Sequence, residues 1–309
     1  MNISRYNNSI DFLKSILIIL MVIGHSISSD IRLHRYIFWF HMPAFFIVSG
    51  YLNNWGKYTL SEFIKKKFNS YIIPYLSWSV LFYFIYIPEN PIKNIVRVLY
   101  GGSINTLIYS YPYWFINCIY ISVIIFKFLY ERLNIKQITF IILFMWFLFH
   151  YLISYLSPLP WSLEIMPFAI FYIYIGFLYK NIEHKQFKYM YIICIITTIC
   201  LFYIDSITDI KYEINMKSGI LRHPILDIIY PSIITLSLYL TCKYIKIRLF
   251  NTIGNASMTI MFIHAPLINL VQKTFIPIYI YIPFIIFLST GIHYILNKNR
   301  ITQKLFIGK

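Results

Sequence analysis

Residues 9–26 read SIDFLKSILIILMVIGHS, an apolar run interrupted by an acid, a lysine and a histidine. Read as a helix, the run puts Lys14 and His25 eleven residues apart, which is about three full turns and about 16 Å along the axis. Both side chains therefore point the same way, and Asp11, three positions before Lys14, shares their face. About 16 Å is half of a bilayer's hydrocarbon core, roughly 30 Å thick. Ionisable side chains are costly inside a membrane span and mark functional paths there. The stripe of acid, base and imidazole is thus the main functional signal in the chain.

The rest of the sequence fits a membrane setting. The chain has 309 residues, of which 59% are hydrophobic and 12% charged, and its mean hydropathy is +0.66. A soluble chain is about half apolar and about a quarter charged. The expected class is all-α, a polytopic integral membrane protein. Apolar runs near 12–29, 35–53, 70–88, 113–130, 138–156, 162–179, 189–205, 225–242, 254–272 and 277–296 predict ten transmembrane helices. An even number puts both termini on one side. Under that arrangement 18 of the 27 lysines and arginines fall on the side of the termini, 8 on the other, and Lys14 lies within the first span. The positive-inside rule then makes both termini cytoplasmic, in a multi-pass cytoplasmic membrane protein. The first run lacks a small-residue cleavage site, so it is expected to be retained as a span. Residues 88–112, with Pro88, Pro91, Gly101 and Gly102, read as an outer loop carrying a short interfacial helix, and 205–224 as a second loop. With no soluble domain or repeat, residues 1–309 read as one membrane domain.

The net charge of +16 does not point to nucleic acid, because no basic soluble domain carries it. Cys118, Cys194, Cys200 and Cys242 fall in apolar runs without a CxxC pair and are expected to be buried thiols. No metal is expected, since HExxH and paired His/Cys spacings are absent. Walker and Rossmann glycine patterns are absent too.

Other polar groups in the apolar runs complete the set of candidates. FWFHMPAFFIVSGY places His41 at the outer part of the second span, at a depth like that of His25, so the two imidazoles are expected to share a cavity. Pro43 is expected to bend that helix, and Ser49–Gly50 to allow close helix approach. EFIKKKFNSYIIPYLSW places Lys65, Lys66 and Lys67 at a cytoplasmic mouth, where cations hold either an anionic ligand or lipid headgroups. IGNASMTIMFIHAPL places His264 near the middle of an outgoing span. Trp114, Asn117 and Glu164 read as structural or interfacial, as do His150 and His293, while His34, His184 and His223 fall in loops.

The blocks IDFLKSILIILMVIGHS and FHMPAFFIVSGYL closely resemble the start of the acyltransferase 3 family, in particular its sugar O-acetylase (fucose 4-O-acetylase-like) branch. Looser similarity continues through FIKKKFNSYIIPYLSW, YWFINCIY, MPFAIFYIYIGF and IGNASMTIMFIHAPL, covering nearly the whole chain in order. The resemblance implies a ten-helix membrane enzyme that takes an acyl group, usually acetyl, from cytoplasmic acyl-CoA and places it on a hydroxyl of a cell-envelope glycan or lipid-linked sugar. The family's basic residue and histidine of the first span map onto Lys14 and His25. Many members carry arginine at the first of these, so Lys14 departs from that form and lacks the planar fork for bidentate phosphate contact. Many also carry arginines where this chain has Lys67 and Ser70.

Acyl transfer to an alcohol needs a base for the hydroxyl proton and stabilisation of the oxyanion. Histidine suits the first task near neutral pH. The resulting expectation makes His25 the general base and Lys14, oriented by Asp11, the group that positions the thioester or steadies negative charge. His41, Ser49 and His264 would line the acceptor or acyl channel, and Lys66 and Lys67 would receive the nucleotide of acyl-CoA. Rival readings are a transporter or flippase for a lipid-linked glycan, a non-catalytic assembly partner and a lipid acyltransferase. Intramembrane charges also serve transport, but neither an inverted repeat nor paired broken helices are evident.

Overall fold

The computed structural model describes residues 3–309 except 28–30, 88, 103–110, 183–187, 209–211, 245–246 and 275. His184, Lys185, Lys211 and Lys246 lie outside the described residues, as does much of the 88–112 loop. Among the described residues every regular element is helical, apart from an isolated antiparallel bridge between Asn215 and Ile220. Among the described residues five stretches are long and apolar enough to cross a membrane: Ser9–Ser26, Tyr111–Arg132, Ile135–Tyr155, Pro160–Asn181 and Ile278–Leu296. Leu249–Asn255 and Ser257–Val271, bent by 79° at their junction, make a sixth if counted together.

The other apolar runs also fold as helices. The 35–53 run divides into α2 (Ile31–Phe38) and α3 (His41–Leu52), with α1 (Ile3–Ser26) before them. Pro43 sits in the first turn of α3, where its missing N–H costs no helical bond, so it starts a helix there instead of bending one. The next helices are α4 (Leu60–Lys67), α5 (Ile73–Tyr86), α6 (Pro91–Tyr100), α7 (Trp114–Arg132) and α8 (Ile135–Leu152). The chain continues as α9 (Met166–Ile182), α10 (Lys188–Ile207), α11 (Leu226–Tyr244), α12 (Arg248–Asn255), α13 (Ser257–Val271) and α14 (Ile278–Leu296).

These helices group into two compact units. The first comprises Met1–Asn53, Ile142–Ser154 and Phe168–Asn255. In it α1 packs on α12, α11 and α3. Lipid tails are as apolar as leucine, so close van der Waals packing, favoured by small residues, drives helix association in a bilayer. Gly50 of α3 and Gly176 of α9 supply it. A Cβ on Gly50 would overlap the Ile173 carbonyl, and one on Gly176 the Ile47 carbonyl, so the two backbones touch. Gly254 of α12 lies as closely on the carbonyl of Asp11. Trp39, Trp146, Tyr172 and Tyr212 fill this unit's interior.

The second unit comprises Asn54–Ile141, Tyr155–Pro167 and Ala256–Lys309. A reciprocal capping box between Thr59 and Glu62 starts α4. Lys127 of α7 is buried, its Nζ donating to the Trp55 carbonyl at 2.6 Å and pairing with Glu131 at 2.7 Å. The Tyr113 hydroxyl donates to the Phe262 carbonyl at 3.0 Å, tying the start of α7 to α13. The C-terminal turn returns to α5, where Trp78 Nε1 donates to the Phe306 carbonyl at 3.1 Å.

Candidate functional site

The first unit holds Asp11, Lys14, His25, His41 and Ser49. Helix α1 runs unbroken through Asp11, Lys14 and His25, so its geometry keeps Lys14 and His25 in phase, as the sequence predicts. Lys14 Nζ pairs with Asp11 Oδ1 at 2.7 Å, both side chains being about one-fifth exposed. His25 is half-buried near the end of α1, edge-on to Phe38 at 5.8 Å between ring centres. His41 opens α3 and is fully buried. Its Nδ1 lies 2.9 Å from the Ile37 carbonyl. A carbonyl only accepts, so Nδ1 carries the proton in this bond. The ring also meets Phe38 edge-on, at 4.6 Å. Both imidazoles therefore reach one aromatic ring. Ser49 is buried beside Asn53, whose Nδ2 donates to its Oγ at 3.3 Å and its carbonyl at 2.8 Å.

The second unit holds Lys66, Lys67 and His264. Lys66 Nζ donates to the Tyr58 hydroxyl at 2.9 Å, and this ammonium, with that of Lys57, draws the phenol below its ordinary pKa. Lys67 Nζ sits over the rings of Phe63 and Tyr71. His264 is fully buried in α13, with Nδ1 3.0 Å from the Ile260 carbonyl. Asn117 is also fully buried, and neither of its side-chain polar atoms has a hydrogen-bond partner among the described residues. Glu164 accepts from the Leu159 N–H, which fits a structural role, and His293 bonds Thr259 Oγ1 at 2.8 Å.

One gap is filled and two expectations are corrected. His150, whose partner the sequence does not name, places Nε2 3.0 Å from Asp227 Oδ2. The buried Asp227 carboxylate also accepts from the Tyr212 hydroxyl at 2.7 Å and from the N–H of His223 at 3.2 Å. The Tyr172 hydroxyl donates to the Asp227 carbonyl at 2.6 Å. His34 lies in α2, not in a loop. Cys200 is exposed, whereas Cys118, Cys194 and Cys242 are buried.

Sequence reading also passed over a pocket of about 460 Å³ in the first unit, formed by Arg32, His34, Arg35 and Phe38 of α2 and by Glu213, Ile214 and Asn215. Arg35 is held from behind by buried Asp205 at 2.5 Å. His34 stacks on Phe38 at 4.0 Å, and Phe38 in turn meets His25. The readable signal was the pair of arginines in the eight-residue α2 and a lone acid, Asp205, near the end of an apolar run. Among the described residues no three His, Cys, Asp or Glu are grouped to hold a metal ion.

These features define a helical membrane protein with an acid, a base and an imidazole on one span. The family model described as an acyltransferase domain matches residues 7–298, and the chain belongs to the acyltransferase 3 family. It is similar to the nodulation protein NolL of Mesorhizobium japonicum, 30% identical over 146 residues. That match covers 42% of this chain and 38% of the relative, so the chain matches less than half of NolL's length. No solved structure matches.

Proposed function

We propose that this acyltransferase moves an acetyl group from cytoplasmic acetyl-CoA to a hydroxyl of a cell-envelope glycan or lipid-linked sugar. Residues 1–309 would act as one domain of ten spans with both termini in the cytoplasm, the arrangement favoured by the 18-to-8 asymmetry of lysine and arginine. The observation that carries the reading is α1 itself: the Asp11–Lys14 ion pair toward one end and His25 toward the other, in phase on one unbroken helix. Donor and acceptor approach from opposite faces, so a polar path along one span serves both.

His25 removes the acceptor hydroxyl's proton as its oxygen attacks the thioester carbonyl. Lys14, oriented by Asp11, steadies the developing negative charge or the donor. The carbon–sulfur bond breaks, the acetyl group stays on the sugar oxygen, and the CoA thiolate takes up a proton. His41, Ser49 and His264 are proposed to line the acceptor or acyl path, and Lys66 and Lys67 to meet the donor's nucleotide. The test is to incubate the purified full-length protein with labelled acetyl-CoA and envelope glycan. Label transferred to glycan supports the reading. Movement of a lipid-linked glycan without acetyl transfer refutes it in favour of a flippase.

A further inference from the structure

We infer that the pocket between α2 and residues 213–215 is the seat of the acceptor, and that it takes an uncharged sugar ring. The inference rests on the proposed acetyl transfer for the identity of the occupant as acceptor, and on geometry for its chemistry. The pocket's volume, about 460 Å³, lies in the range of small-ligand sites, roughly 300–1,000 Å³. Its lining pairs an aromatic surface, the stacked rings of His34 and Phe38, with polar groups at several points. This mixture suits a sugar, which presents C–H faces and a rim of hydroxyls that both donate and accept.

Charge separates an uncharged ring from a phosphorylated or carboxylated one. Asp205 neutralises Arg35. Among the described lining residues that leaves Arg32 and Glu213 as an opposed pair. Burial holds the His34 imidazole below its ordinary pKa although Glu213 pulls the other way, which keeps it uncharged at neutral pH. An anion would need cations in excess, and the described lining residues show none once Asp205 and Glu213 are counted. Glu213 would instead repel it, while accepting from a sugar hydroxyl.

Position ties the pocket to the chemistry. Phe38 belongs to the lining and also touches His25 and His41. A sugar seated there lies one aromatic ring from the proposed base. The wall at 213–215 is fixed from outside the pocket: the neighbouring Tyr212 donates to Asp227 and accepts at its carbonyl from Trp39 Nε1 at 2.8 Å.

The test is binding of methyl glycosides of neutral hexoses, with glucuronic acid and glucose 1-phosphate as anionic probes, to the full-length protein in lipid nanodiscs by saturation-transfer NMR. A neutral glycoside is expected to bind wild type and Gly291→Ala equally. Glu213→Gln and Asn215→Ala are each expected to weaken it about tenfold, the loss of one charged or neutral hydrogen bond. Unchanged binding in both variants overturns the inference. So does preference for the anionic probes, or no binding of any neutral glycoside to wild type. If neutral glycosides bind in this pattern but wild type transfers no acetyl group from acetyl-CoA, the acetyl-transfer reading fails and the sugar site stands.

Discussion

Asp227→Ala should be among the most damaging single changes in the first unit, and the structure gives its size. The carboxylate is fully buried and accepts from His150 Nε2, the Tyr212 hydroxyl and the N–H of His223 at 3.0, 2.7 and 3.2 Å. Removing it strands at least two buried polar groups, each costing about 1–3 kcal/mol. The expected loss is about 3–5 kcal/mol, the usual cost of deleting one member of a buried charged network. Asp227→Asn is milder. Its oxygen still accepts from Tyr212, but the amide nitrogen that replaces Oδ2 cannot accept from His150 Nε2 or from the His223 N–H. Two bonds are lost, worth about 1 kcal/mol each. Thermal unfolding of the detergent-purified full chain measures both. Asp227→Ala is expected to lower the midpoint on the order of 10 °C and Asp227→Asn by a few degrees. Equal midpoints for Asp227→Ala and wild type would refute the claim that this network fastens the 212–223 segment to α8 and α9.

Gly50→Ala and Gly176→Ala should each cost about 1–3 kcal/mol or more, because the new methyl meets backbone, whereas Gly291→Ala, with nothing within 4 Å of its Cβ, should be silent; size-exclusion profiles and melting of the three variants decide it. Lys14→Ala should raise the KM for acetyl-CoA at least tenfold while Lys14→Arg, which keeps the charge beside Asp11, should retain most affinity; unchanged KM in both would remove Lys14 from the donor site. His34 has a lowered pKa in the folded protein, so the unfolded chain binds more protons just below its ordinary value of about 6.5. Stability therefore rises with pH across that window and is lost on acidification through it. The wild type minus His34→Gln difference in melting between pH 7.5 and 5 should show this sign, and a flat difference would count against it.

The sequence made local features legible and left distant ones hidden. Asp11 and Lys14 are three apart on one helix, so periodicity alone predicts their contact, and the ion pair is there. Gly50 reads as a close-approach site because small residues let helices touch, but its counterpart on α9, Gly176, is readable only from the fold. The same holds for polar pairs. Arg35 and Asp205 are 170 residues apart, and His150 and Asp227 are 77 apart. In a membrane such isolated ionisable residues demand partners, yet nothing local says which. The division of the 35–53 run is hidden in the sequence because a proline there fits either a bend within one helix or the first turn of a new one, as Pro43 proves to be. That break leaves α2 as a separate short helix, and with it the pocket. Lys127 shows the converse: one of the 18 cations on the side of the termini, it is buried against Trp55 and Glu131, and its i,i+4 spacing to Glu131 is the available clue.

The most direct measurement of the central claim is the rate of acetyl transfer by His25→Ala, with labelled acetyl-CoA and envelope glycan in membranes holding equal amounts of folded protein. A positioned general base contributes about 10²–10⁴-fold. The account predicts a rate reduced by at least a hundredfold with acetyl-CoA binding retained. A variant that transfers acetyl groups at close to the wild-type rate would contradict it.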